Sequence, residues 1–368
     1  MNIGILTLNL NYNYGGILQA YALYTIIKKL GHTPLLIQRK RFFTHWANFR
    51  RLIGFLLNRK TSLFEGYIST LTRNFVDEHI EHKTLRLSRD ELSQLCKKQS
   101  LNAVIVGSDQ IWRKWGDKLL SSSFLDFCEN DKNVRRIAYG VSFGVDKWLY
   151  SDDETRTIKY YLRDFKNISC RESSGVELCN EFLKMKASFV LDPTMLLFVD
   201  EYKGIIASSG RINKERQLVY YFLDATKGKV EYAMDSASEM NLNPCNIGVV
   251  KEARMLNMIR NPRTCVWPTV ESWLSGLYYS DYVVTDSFHG VVFSILFHRP
   301  FVCLDNQLRG SARIHSLLDT FELKERLISI SPHINVENNF HPIDWIAVDQ
   351  KLEDLRSHSI YFLMDSLS

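Results

Sequence analysis

Tyr282-Val283-Val284-Thr285-Asp286-Ser287-Phe288-His289-Gly290-Val291-Val292-Phe293-Ser294-Ile295-Leu296-Phe297 reads as a strand that turns at once into a helix. Tyr282 to Thr285 is a short apolar, β-branched run of the kind found in strands covered on both faces. The helix expected over Gly290 to Phe297 starts where Asp286 or Ser287 is placed to cap it. Phe301 to Leu304 then supplies the next strand, and a right-handed crossover between them implies a parallel sheet.

Working outward, the same rhythm recurs. Upstream lie Leu218 to Leu223 as a strand, a helix around Lys229 to Met240, a turn holding Asn243-Pro244, and a helix from Val270 to Tyr279. At the N-terminus an apolar run over residues 2 to 8 is followed by polar Asn9 to Gly16, a helix from Ile17 to Leu30 stopped by Gly31, and a strand from Leu35 to Gln38. Ala103 to Val106 and Ile137 to Val141 read as further strands. The fold class expected is α/β, with two Rossmann-like doubly wound domains facing across a cleft. Their spans are residues 1–199 and 200–330, with a tail at 331–368 packing back on the first. A chain of 368 residues that is 45% hydrophobic is long enough for two cores.

The formal charge of +5 is not spread evenly. Arg39, Lys40, Arg41, Arg50, Arg51, Arg59 and Lys60 fall in one stretch without a carboxylate, so the remainder of the chain carries −2. The same stretch holds Phe42, Phe43, Trp46, Phe49, Leu52, Ile53, Phe55, Leu56 and Leu57. It reads either as a packed helix pair with a solvated basic face or as a contact with an anionic membrane. No apolar run reaches the roughly 18 residues of a membrane span, and no secretory signal is read at the start. The expected place is the cytoplasm, or the inner face of the cell membrane. Seven widely spaced cysteines without a C-x-x-C pair read as reduced and buried. No metal site is expected, and nucleic-acid binding is not, because the basic run lies in no recognisable module.

In open α/β sheets ligands bind beyond the carboxyl ends of the strands. At one such end a helix start carrying Ser287, His289 and Gly290 suits an anion, most simply a phosphate, with His289 as a ligand, a proton donor, or a side chain merely satisfying a carbonyl. At another, Asn9-Leu10-Asn11-Tyr12-Asn13-Tyr14-Gly15-Gly16 with Gln19 offers amides for sugar hydroxyls and a backbone that a ligand can approach. It lacks the endings of a P-loop, and G-x-G-x-x-G is absent. Ser108, Asp109 and Gln110 follow a third strand. Asp109 reads equally as a general base and as an N-cap. Arg171 and Arg313 are suited to gripping carboxylate or phosphate in a bidentate fashion.

Together these segments resemble the polysaccharide pyruvyl transferase family. The resemblance rests on Asn11-Tyr12-Asn13-Tyr14-Gly15-Gly16-Ile17-Leu18-Gln19, Val106-Gly107-Ser108-Asp109-Gln110-Ile111-Trp112, Arg171-Glu172, Leu191-Asp192-Pro193-Thr194 and Thr285-Asp286-Ser287-Phe288-His289-Gly290, in order along the chain. It implies the GT-B architecture and transfer of the enolpyruvyl group of phosphoenolpyruvate to a sugar, usually as a cyclic ketal. No cofactor beyond that donor is implied. Under this reading Arg171, Ser287, His289, Gly290 and Arg313 bind phosphoenolpyruvate, while His289 and Asp109 are catalytic. Asn11, Asn13, Gly15, Gly16, Gln19, Ser108 and Gln110 line the sugar-acceptor side. Some relatives carry Arg-Leu-His before the glycine where Ser287-Phe288-His289 stands, and Arg309 or Arg313 is then expected to supply the missing cation. The acceptor implied is a sugar of a surface polysaccharide precursor, with a lipid-linked oligosaccharide as the favoured form. A GT-B glycosyltransferase using a nucleotide sugar, with Trp267-Pro268-Thr269 flanking the base, is the alternative. A noncatalytic carbohydrate-binding protein is a second one.

Overall fold

The computed structural model of the protein describes residues 1–40, 52–59, 63–114, 120–210, 215–306, 311–329 and 342–368. Most of the basic segment 39–60, and with it the membrane reading of Arg41 to Arg51, lies outside the described residues, as does Arg309. Of its ends, Arg39 is buried, donating to the hydroxyls of Ser122 and Ser123 at 2.9 and 3.1 Å, and Lys40 pairs with Glu91. Arg39 is therefore a core ion and no part of a solvated basic face.

Two parallel sheets organise the chain. The first has six strands in the order β2-β1-β3-β4-β5-β6, formed by β1 (Asn2–Leu6), β2 (Thr33–Ile37), β3 (Ala103–Val106), β4 (Arg135–Val141), β5 (Phe165–Cys170) and β6 (Ser188–Phe189). The second has five in the order β11-β10-β9-β7-β8, with β7 (Gln217–Tyr221), β8 (Asn243–Asn246), β9 (Tyr282–Thr285), β10 (Phe301–Leu304) and β11 (Leu327–Ile328). Every pairing among these strands is parallel. Helices cover both faces, so all four residues of β3, β9 and β10 are buried. This is the doubly wound α/β class read from the sequence, twice over.

One expectation fails locally. Asn243-Pro244 is no turn: both residues lie in β8, in register with Gln217 and Leu218. Proline lacks the N–H that an interior strand must donate, and β8 is an edge strand, as is β2 with its Pro34. The helix at the N-terminal loop also begins earlier than read, at Tyr14, and the one after β9 begins at Phe288. The cap of the latter is Ser287, whose Oγ accepts from the Gly290 N–H at 3.3 Å. Asp286 turns inward instead, accepting from Lys229 Nζ at 2.6 Å and Asn306 Nδ2 at 2.9 Å.

The last helix, Trp345–Leu367, lies against the first sheet. Ser359 Oγ accepts from the Leu191 N–H at 2.9 Å, and Asn167 Nδ2 donates to Ser366 at the same distance. One apolar core runs continuously from Ile3 and Ile17 through Trp273 and Val283 to Leu363, joining the two sheets and the last helix. Among the described residues no helix is long and apolar enough to cross a membrane.

Candidate active site

Five loops leave the carboxyl ends of β1, β3, β5, β6 and β9 and bring their side chains to one place between the sheets. Arg171, just past β5, is fully buried. Its Nη1 donates to Asp192 Oδ2 and its Nη2 to Asp109 Oδ1 at 2.9 Å. Asp109 also accepts from Asn13 Nδ2 at 3.1 Å and lies 3.9 Å from Arg313 Nη1. Asp192 fixes its other oxygen locally, accepting from the Thr194 N–H at 3.0 Å and the Thr194 hydroxyl at 2.7 Å. His289 Nε2 approaches Asp192 Oδ2 to 3.6 Å, within ion-pair range but beyond a hydrogen bond. The guanidinium carbons of Arg171 and Arg313 stand 4.6 and 5.7 Å from the centre of the Phe288 ring.

Glycine is required twice for reasons visible here. A Cβ on Gly15 would fall 1.8 Å from His289 Nδ1, so the imidazole of one sheet's unit rests directly on the backbone of the other's. Gly107 has φ +146°, and a Cβ there would meet the Tyr139 carbonyl oxygen at 1.9 Å. That close approach aims Ser108 and Asp109 across the sheet end.

Burial disfavours the Asp192 charge, but Arg171 and His289 override it and hold the carboxyl well below the usual range. Asp109 is likewise held low, by Arg171, His289 and Arg313 against burial. Burial lowers Arg313 to about 10, with repulsion from Arg171 adding to it, so the side chain stays cationic at neutral pH. Burial opposes the Arg171 charge too, yet Asp192, Asp109 and Glu172 together raise its pKa. Glu172 goes the other way: burial pushes its carboxyl up, only partly offset by Arg171. Its Oε1 accepts from the Phe143 N–H at 3.1 Å.

Three buried donors remain without a hydrogen-bond partner: Arg171 Nε, Arg313 Nε and His289 Nε2. Buried polar atoms are almost always paired. Glu172 Oε2 is an orphaned acceptor of the same cluster, 4.0 Å from Arg171 Nε, which leaves Arg313 Nε and His289 Nε2 as the atoms that call for a further acceptor. Side-chain exposure is 0% for Arg171 and 7% for Arg313 and His289, which leaves bulk water a poor explanation. The set fits an anion.

The sequence-predicted residues divide accordingly. Asn13, Gly15, Asp109, Arg171, Ser287, His289, Gly290 and Arg313 are brought together. Gln19 is fully buried and braces the strand ends: its Nε2 donates to Thr7 Oγ1 at 2.7 Å and to the Gly16 carbonyl at 2.9 Å, and its Oε1 accepts from the Ser108 N–H at 3.0 Å, while the Ser108 hydroxyl reaches the cluster at Asp192 Oδ2, 3.3 Å away. Gln110 accepts from Arg113 at 2.8 Å. Asn11 points elsewhere, donating to Glu65 at 2.8 Å and accepting from Arg86 at 3.2 Å. The N-cap reading of Asp109 is overturned, because a turn and not a helix follows it and its own φ is +57°. As a general base it is weak for the reason already given: Arg171, His289 and Arg313 favour its charged form.

Sequence reading assigned no role to Asp192, Glu172 or Phe288. Asp192 has an ordinary local explanation, capping the short 3-10 turn at Pro193, and nothing nearby in sequence shows that its second oxygen meets Arg171 and His289. A group able to hold a metal ion does occur among the described residues, where none was expected from spacing. Ligand atoms of Glu78, His79 and Glu271 lie within 4.8 Å of one another. Glu78 and His79 border a cavity of about 460 Å³ that none of the Asp109–His289 cluster lines.

Residues 13–307 match the family model described as polysaccharide pyruvyl transferase. No curated protein matches the chain in sequence. Among solved structures, the UDP-GlcNAc 2-epimerase of Neisseria meningitidis, bound to UDP-GlcNAc, aligns over 100% of this chain and 99% of its own at TM-score 0.52 and 8% identity. MurG of Acinetobacter baumannii aligns over 99% of both chains at TM-score 0.49 and 8% identity. At 8% identity the likeness to the epimerase is one of fold, the two-unit GT-B arrangement.

Proposed function

Because the chain belongs to the polysaccharide pyruvyl transferase family, we propose that this transferase moves the enolpyruvyl group of phosphoenolpyruvate onto a sugar of a surface polysaccharide precursor, such as that of a capsule or exopolysaccharide. Phosphate is released and a cyclic ketal closes. The observation that supports this reading is the convergence of Arg171, Arg313 and His289 in one buried cluster, in which Arg313 Nε and His289 Nε2 lack a hydrogen-bond partner. Phosphoenolpyruvate is small, carries a phosphate and a carboxylate, and needs no slot for a base.

Arg313 and His289 face the donor's anionic groups. Arg171 stands behind them, its two Nη atoms engaged by Asp109 and Asp192 and its Nε facing Glu172 Oε2 at 4.0 Å. The first helical turn behind Ser287 adds its positive end. His289, held opposite Asp192, gives a proton to the methylene carbon. The central carbon then becomes oxocarbenium-like and is attacked by a sugar hydroxyl, whose proton leaves to solvent or to a donor phosphate oxygen. Phosphate departs with its bonding pair, and the second hydroxyl closes the ring, its proton returning to His289. Asp109 keeps Arg171, Arg313 and Asn13 in place and does not take the hydroxyl proton. Asn13 and the backbone at Gly15 and Gly16 border the acceptor side. The acceptor proposed is lipid-linked, worked on at the inner membrane face.

The alternative use of Trp267 against a nucleobase is disfavoured, because Tyr12 stacks on that ring at 5.3 Å with an interplanar angle of 14°. Incubation with phosphoenolpyruvate and candidate lipid-linked or nitrophenyl sugars, followed by mass spectrometry, is expected to show the pyruvate ketal and an equal amount of phosphate. Wild-type phosphate release by His289→Ala or Arg313→Ala would remove this donor site. Tight binding of a nucleoside diphosphate with none of phosphoenolpyruvate would support a nucleotide-sugar transferase, and glycan binding without turnover a noncatalytic protein.

A further inference from the structure

We propose that residues 52–59 of the first half and Met255–Arg260 of the second together form a face that docks on an anionic lipid bilayer. In the first segment Leu52, Ile53, Leu56 and Leu57 are exposed, the last two at 58% and 61%. In the second, Leu256 and Ile259 are exposed, Ile259 at 70%, and Val250 just before it also at 70%. The segments touch: the Leu256 N–H donates to Asn58 Oδ1 at 3.1 Å. Behind them Ile68, Ala253 and Cys265 are buried together, with Phe64, Met258 and Trp267 packed around. The Trp267 N–H is also bonded to the Ile68 carbonyl at 2.9 Å, so the two halves present one continuous surface.

Isolated exposed leucines are ordinary, but exposed apolar side chains on two distant segments that meet at Asn58 and Leu256 form a patch that water solvates poorly. Cations predominate in the two segments and their flanks. Arg59, Lys251, Arg254, Arg260 and Arg263 are exposed. Glu252 is the one carboxylate in residues 52–59 and 250–263, and it is paired with Arg254 at 2.7 Å. A cation-rimmed apolar patch matches a bilayer with anionic headgroups: leucine and isoleucine enter the acyl boundary while arginine and lysine meet phosphate. Trp267 behind the patch stacks on Tyr12, in the loop that carries Asn13. Docking would thus set the acceptor side of the cleft at the membrane. That purpose rests on the proposed lipid-linked acceptor, whereas the binding itself does not.

The test is sedimentation of the full chain with phosphatidylcholine vesicles, with and without phosphatidylglycerol, in the absence of donor and sugar. The chain is expected to pellet only with phosphatidylglycerol present. Leu256→Asp with Ile259→Asp, Leu56→Asp with Leu57→Asp, and Arg260→Glu with Arg263→Glu should each lower the bound fraction about tenfold. All six positions are exposed, and unchanged melting would confirm that the variants fold. Absence of binding to phosphatidylglycerol vesicles would overturn the proposal. So would wild-type binding by the Leu256/Ile259 pair, or binding that depends on the arginines and not on the apolar pairs, which marks simple charge attraction. Ketal formation on a soluble nitrophenyl sugar should be unaffected by these variants. A missing ketal with vesicle binding intact would remove the functional reading alone.

Discussion

His289 Nε2, on the helix that follows β9, lies 3.6 Å from Asp192 Oδ2, which follows β6 of the other sheet. The proton donor proposed for the reaction and the carboxylate that holds it therefore belong to different halves of the chain. Asp192 is itself anchored by Thr194 and Arg171, so the pair has a fixed geometry only while the halves are together.

Asp192→Asn keeps the Thr194 cap but removes the charge opposite His289. Turnover is expected to fall about a hundredfold, the lower range for losing acid catalysis. Unfolding in urea should show a loss of about 3 kcal/mol, because Arg171 would be left with fewer buried counter-charges. A variant that loses stability yet turns over normally would reduce Asp192 to a structural role.

Gly15→Ala puts a methyl group where the His289 ring stands. Displacing the imidazole should lower kcat by about a hundredfold. Gly15→Ser should behave the same way, having the same Cβ. Gly204→Ala, at a helical glycine where an added Cβ meets nothing within 4 Å, should match wild type in activity and melt slightly higher, since alanine is favoured over glycine in a helix by about 0.5–1 kcal/mol.

Stability should depend on pH in two opposite ways. The folded pKa values of Asp192 and Asp109 lie below the unfolded value of about 3.9, so their contribution is complete above that value and is lost as pH falls through the folded ones. Glu172 is raised, so its contribution is complete below about pH 4.3 and is lost as pH rises through its folded value. Urea midpoints of wild type and Glu172→Gln from pH 4 to 8 should diverge, with the variant gaining relative to wild type as pH rises. Parallel curves would show that Glu172 carries no such linkage.

Much of this was legible beforehand. The runs at Ala103 to Val106, Tyr282 to Thr285 and Phe301 to Leu304 coincide with observed strands, because a strand covered on both faces must be apolar throughout. Pro244 misled, since a proline in a strand is permitted only at an edge, and edge position is a property of the sheet. Asp109, Arg171, His289 and Arg313 could each be chosen for their chemistry, and each had an ordinary local explanation as well.

The sequence alone determined the α/β rhythm, the strand-end placement of the polar residues and, through five ordered segments, the family. Periodicity and loop chemistry are local, and they are written in consecutive residues. Only the tertiary structure decided that Arg171 is engaged by Asp109 and Asp192, that Asp192 faces His289, that His289 rests on Gly15, and that Asn11 turns away. Those contacts join residues from 21 to 274 positions apart, and whether a buried charge is paired or left with an orphaned N–H depends on what the fold packs beside it.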